Sequence, residues 1–207
     1  FDARSPSLDP AAHFELPRGE GALCHDVGFG GAVVAAGGEK GLVHFFDLRT
    51  SSSSSSAAAA AAAGPLGTYR DAHSDSVASL KFLDSESSIL ATASEDNLIS
   101  LHDASRPTED AALISTMNAQ CPVRSVAFFG PNREGVLCLT GSETIQAWHW
   151  DSAQRMCDYG GADVRRSLSV VAGMGSKTEG SIAAGAGAGS GLGMEVEYLT
   201  GAAWIEG

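Results

Sequence analysis

Leu90–Asp103 reads LATASEDNLISLHD, and the reading of this stretch decides the fold. LATAS (90–94) and LISLHD (98–103) are short strand-forming runs, and Glu95, Asp96 and Asn97 between them are turn residues. The pattern predicts a β-hairpin whose second strand closes on a ring followed by an acid, His102-Asp103.

The same grammar occurs twice more, in AVVAAGGEKGLVHFFD (32–47) and VLCLTGSETIQAWHWD (136–151). A further candidate strand precedes each hairpin: ALCHDVGF from Ala22, SVASLKF from Ser76 and VRSVAFF from Val123. Asp103 and Asp151 are 48 residues apart; Asp47 and Asp103 are 56 apart, or 42 without the 14-residue tract SSSSSSAAAAAAAG (51–64). A period of about 40–45 residues with about four strands per unit is that of a β-propeller blade. The expected fold class is therefore all-β: about three propeller blades and the start of a fourth.

These residues resemble the WD-repeat family. Its signature is a His before the first strand, a Ser or Thr on the second, an Asp in the turn to the third, and Trp-Asp closing the third. In the middle repeat those positions carry His73, Ser94, Asp96 and then His102-Asp103, a degenerate closing pair. The third repeat keeps Trp150-Asp151 but has Cys121-Pro122 near the place of the His; the first closes on Phe46-Asp47 and has Lys40 where the turn Asp is expected. The resemblance covers 22–159 and resumes at EYLTGAAWI from Glu197. It implies a structural hydrogen-bond network of His73, Ser94 and Asp96, since a buried imidazole needs partners for both nitrogens and the turn Asp can accept one proton. It also implies partner-binding positions before the turn Asp and near the start of the first strand. Here these are Glu39 in the first repeat, Ser76, Ala78 and Glu95 in the second, and Pro122 and Arg124 in the third.

The expected organisation is an irregular segment or the end of a preceding blade at 1–21, and a partial blade at 22–50. The Ser/Ala insertion at 51–64 then stands between two blades. A blade at 65–117 and a blade with its connection at 118–171 precede a Gly/Ala-rich insertion at 172–193, and the first strand of a further blade occupies 194–207. A closed ring has about 4 to 8 blades. Three blades and one strand predict a fragment of a larger closed propeller.

Composition narrows the function. Twenty-five acids against thirteen bases give a net charge of −12 over 207 residues, which repels phosphate backbones, so no direct nucleic-acid ligand is expected. The cysteines at 24, 121, 138 and 157 form no C-x-x-C pair and no regular framework, which suggests a reducing, intracellular setting, cytoplasmic or nuclear. No run approaches the ~20 apolar residues that span a bilayer, so no membrane contact is expected.

Motifs for chemistry are weak. GMGSKT (173–178) departs from a Walker loop at Ser176, and GFGGAV (28–33) has Val33 where a dinucleotide fingerprint needs glycine. In His25-Asp26 and His102-Asp103, adjacent strand residues point to opposite faces and cannot form a dyad. His44, His102 and His149 fall one per blade, so no metal site is expected from them. The expectation is no catalytic residue, no metal and no cofactor: a non-catalytic WD-repeat scaffold binding other proteins or peptides. The alternative is an enzyme using ionisable residues such as Glu39, Glu95 and Asp96 around a propeller channel.

Overall fold

The computed structural model describes residues 13–17, 19–51 and 64–160. They form three four-stranded antiparallel sheets. The first contains β1 (Ala22–Gly28), β2 (Val33–Gly38), β3 (Val43–Asp47) and β4 (Gly67–Tyr69). The second contains β5 (Val77–Phe82), β6 (Ile89–Ser94), β7 (Leu98–Asp103) and β8 (Leu113–Asn118). The third contains β9 (Val123–Phe129), β10 (Gly135–Thr140), β11 (Ile145–His149) and β12 (Gln154–Tyr159). Two four-residue helices, α1 (Leu48–Ser51) and α2 (Glu109–Ala112), lie in the connections. Strands follow chain order across every sheet, and β1 packs beside β5 as β5 packs beside β9. The molecule is thus a row of propeller blades joined through their first strands.

Two apolar layers hold the row together. Val43, Phe45 and Tyr69 of the first sheet meet Leu80, Phe82 and Leu90 of the second; Ile99, Leu101 and Met117 of the second meet Val126, Val136 and Trp148 of the third. The middle blade is sandwiched, so Ile99–His102 are buried without interruption along β7. Burial on both faces replaces polar alternation by a continuous inward-facing run.

Register corrects two expectations. β4 pairs with β3, matching Val43 with Tyr69 and Phe45 with Gly67, so the Ser/Ala tract interrupts the first sheet between its third and fourth strands and does not separate two blades. The reason is packing: the Tyr69 ring meets Phe45 edge-on at 4.9 Å. The second correction concerns the third closing pair. Ile89 pairs with Asp103, Val33 with Asp47, and Gly135 with His149. The residues equivalent to Phe46-Asp47 and His102-Asp103 are therefore Trp148-His149. Trp150-Asp151 lies beyond the strand, where the Trp150 indole N–H donates to the Arg133 carbonyl at 2.7 Å. His149 accepts the Ser152 N–H, three residues on, at 3.4 Å, whereas Asp103 accepts that of Ser105, two residues on, at 3.1 Å.

The body of the Ser/Ala tract (52–63), the Walker-like GMGSKT, the Gly/Ala-rich insertion and the candidate strand from Glu197 lie outside the described residues. Among the described residues no helix is long and apolar enough to cross a membrane.

Candidate functional site

The three central hairpins turn alike. Each uses five residues, Gly38–Leu42, Ser94–Leu98 and Thr140–Thr144, flanked by the pairs Gly37/Val43, Ala93/Ile99 and Leu139/Ile145. The fourth turn residue is left-handed in each: Gly41 at φ +79°, Asn97 at +75° and Glu143 at +61°. The second donates its backbone N–H to the chain leading into the first strand: Glu39 to the Gly21 carbonyl at 3.0 Å, Glu95 to Ser76 at 3.1 Å, and Gly141 to Pro122 at 2.6 Å.

Just beyond, the first strand of every sheet is bulged at the same place, leaving Leu23, Ala78 and Arg124 without partners across the ladder. A bulge re-aims side chains at a sheet's rim. The structure therefore places Glu95 against Ser76 with Ala78 beside them, and sets Glu39, Pro122 and Arg124 at equivalent positions on the flanking blades. Glu39, Glu95, Pro122 and Arg124 are exposed, while Ser76 and Ala78 are half-buried. Sequence reasoning missed Gly21, Leu23 and Gly141, which complete the pattern. Leu23, half exposed, was the readable one, because aligning the repeats sets it opposite Ala78 and Arg124.

Behind the middle turn, His73 is buried. Its Nδ1 lies 3.0 Å from the Asp96 carboxylate and its Nε2 lies 2.9 Å from the Thr92 hydroxyl. Burial pulls the imidazole below its usual pKa despite Asp96, which favours the neutral ring with Nδ1–H donating to Asp96, while the Thr92 hydroxyl is shared between Nε2 and the Ser100 carbonyl, 3.2 Å away. Burial would raise the Asp96 carboxyl, but the backbone N–H groups of Leu98 and Ser74, with His73, hold it below the usual carboxylate range. Ser94 does not touch the imidazole. Its hydroxyl donates to the Asp75 carbonyl at 3.0 Å and accepts the Asp96 N–H at 3.1 Å, bracing the turn from both sides.

Register explains why this set occurs once among the described residues. Thr92 is replaced by Ala36 and Cys138 in the other blades, and Asp96 by Lys40 and Ser142. The first blade instead buries His44 between Glu20 and Thr68, each at 3.0 Å. The third links Thr140 to Thr144 at 2.7 Å and to Ser142 at 3.0 Å.

A double-mutant cycle tests the middle network. His73→Ala and Asp96→Ala should each cost about 1–3 kcal/mol in urea unfolding, because each strands a buried polar group, and the double variant should cost less than their sum. Strict additivity would show that the two side chains are not coupled.

Among the described residues no group of three or more His, Cys, Asp and Glu side chains could hold a metal ion. What the turn end offers is a surface of both charges: Glu39 and Glu95 with Lys40 and Arg124, all exposed, beside the half-exposed Leu23.

Three four-stranded antiparallel blades, with the His–Asp tie between turn and incoming chain, define a WD-repeat β-propeller protein. More narrowly, a family model described as "Nucleolar protein 10-like, N-terminal domain" matches residues 18–179, and the chain belongs to that family. Curated relatives include the WD repeat-containing protein 89 homolog of Dictyostelium discoideum, 26% identical over 98 residues, and WD repeat-containing protein GTS1 of Arabidopsis thaliana, 28% identical over 126. These alignments take in 47% and 59% of this chain but only 27% and 29% of those relatives. Solved structures with the same fold include Chaetomium thermophilum Sqt1 bound to the N-terminus of the ribosomal protein L10, with TM-score 0.52, 24% identity, 67% of this chain and 34% of that one. The RRP9 WD40 repeats match with TM-score 0.51, 17% identity, 65% of this chain and 36% of that one.

Proposed function

We propose that this chain contributes part of a non-catalytic protein-binding platform whose contact surface is the turn end of the blades. The observation that carries the reading is the repetition there: the N–H of Glu39, Glu95 or Gly141 is fixed to the incoming chain, and Leu23, Ala78 or Arg124 is turned out by a bulge beside it. A backbone held this rigidly presents side chains at low entropic cost on association. The partner is a protein or peptide, and the acids on two blades with Arg124 on the third favour a segment of mixed charge. The solved relative bound to the N-terminus of a ribosomal protein supports a peptide-like partner, and the nucleolar-protein family supports an intracellular, nuclear setting.

Glu95→Lys tests the surface. Glu95 is exposed and engages the fold through its backbone, so the melting curve should be unchanged, whereas inverted charge should weaken partner capture by roughly tenfold. Capture is compared quantitatively between wild type and variant by affinity purification and mass spectrometry. Equal recovery of every partner would move the binding surface elsewhere.

A further inference from the structure

The opposite end of the sheets carries a cleft of about 390 Å³ that the turn-end surface does not use. It lies between the first two blades, beneath the connection from β7 to α2. Phe29, Val33, Phe45 and Tyr69 form its apolar floor. The floor is preformed: Phe29 meets Phe82 edge-on at 6.0 Å, and the N–H groups of Phe29 and Gly30 donate to the carbonyls of Ser87 and Ser85. Leu66, 62% exposed, extends the apolar surface outward.

Three features make this a docking groove. Gly67 stands directly across the ladder from Phe45, where a side chain would project over the floor, and nothing lies within 4 Å of where its Cβ would be. β4 is the outermost strand of its sheet and has no neighbour on its other side among the described residues. At the rim, the Glu109 carboxylate is occupied by the N–H groups of Arg70 and Asp71 at 2.7 and 2.9 Å. Arg106 gives its Nε–H to Asp103 at 3.0 Å, and its two terminal nitrogens have no bonded partner among the described residues. The open hydrogen-bonding capacity at the rim is therefore donor in character, suited to a carboxylate, which a guanidinium can bind through two parallel bonds.

We infer that the cleft docks an extended segment of a partner protein, which lies along β4, rests an aliphatic side chain on the Phe45–Tyr69 floor and bonds a single carboxylate to Arg106. Addition of a strand to a free sheet edge supplies main-chain bonds, and the pocket supplies selectivity. The net charge of −12 repels an acidic run, so the segment carries one acid among apolar and neutral residues.

Random dodecapeptides displayed on phage, selected on the full chain and measured by fluorescence polarisation, test the assignment independently of the turn-end reading. Recovered peptides should carry an aliphatic residue close to Asp or Glu and should slow hydrogen exchange at Gly67–Tyr69 and in the connection 104–109. Gly67→Leu, which fills the cleft, and Arg106→Gln should each weaken them roughly tenfold or more with the melting temperature unchanged, while Glu95→Lys should leave affinity unaltered. Failure to recover peptides, protection of the five-residue turns instead, or undiminished binding to Gly67→Leu would overturn the assignment.

Discussion

Gly41→Ala should lower stability by about 3 kcal/mol, combining the left-handed backbone's penalty with a steric clash. Gly41 sits at φ +79°, and a Cβ there would fall 2.4 Å from the His73 carbonyl oxygen and 2.9 Å from that of Asp75. Those atoms are backbone and cannot rotate away. The turn of the first blade would have to lift off the chain that carries His73 toward β5, disturbing the junction between two blades. Asn97→Ala supplies the comparison: Asn97 holds nearly the same φ, +75°, and already has a Cβ, so it should lose only about 1 kcal/mol from conformation. Urea unfolding of both variants separates the two contributions. Equal losses would show that the first turn yields without strain.

Acid should weaken the junction of the first two blades through His102. This side chain is buried against Tyr69, ring centroids 5.0 Å apart, and its Nδ1 has no hydrogen-bond partner among the described residues. Burial, with a smaller contribution from His73, pulls its pKa from 6.5 down to about 4. The folded state therefore holds the ring neutral in a range where the unfolded chain takes a proton. Stability from this group is complete above pH 6.5 and is lost progressively as pH falls toward 4, by up to about 3 kcal/mol. His73, also depressed, acts in the same direction, whereas Asp103, lowered to about 2 chiefly by hydrogen bonds from Ser105 and Ser88, loses its contribution only in stronger acid. His102→Phe should be at least as stable as wild type at pH 7.5, since Phe46 fills the equivalent place in the first blade, and should flatten most of the slope between pH 6.5 and 4.5. Unfolding curves at the two pH values decide it; an unchanged slope would assign acid sensitivity to other groups.

The blades were legible because each repeats a hairpin whose turn residues interrupt two apolar runs. The legible part of the site was similarly local: Asp96 and Glu95 stand in a turn that Asn97 marks, and His73 lies a fixed distance before β5. Thr92 was hidden because β6 is buried on both faces, so no alternation shows which of its residues faces the imidazole. Trp148 and Trp150 could each close the third repeat by residue type, and only the ladder with β10 separates them. β4 offers three residues after a long tract, too few to establish a period. The cleft was illegible for a different reason: its walls come from separated segments, and its opening depends on the side chain that Gly67 lacks.

The position of the Ser/Ala tract inside the first sheet has a consequence for how that sheet assembles. Nineteen residues, 48–66, separate β3 from β4, whereas nine, 104–112, separate β7 from β8. Doubling the length of chain that must be closed adds about 0.6 kcal/mol of entropy to the pairing, and β4 offsets this with only three residues against the six of β8. β4 thus gains less from pairing, against a larger closure cost, than its counterpart β8 in the middle blade. Nineteen residues are, however, enough for the chain to return to its own sheet without a strained hinge, so this long connection favours pairing of β4 within one molecule over exchange of strands between copies.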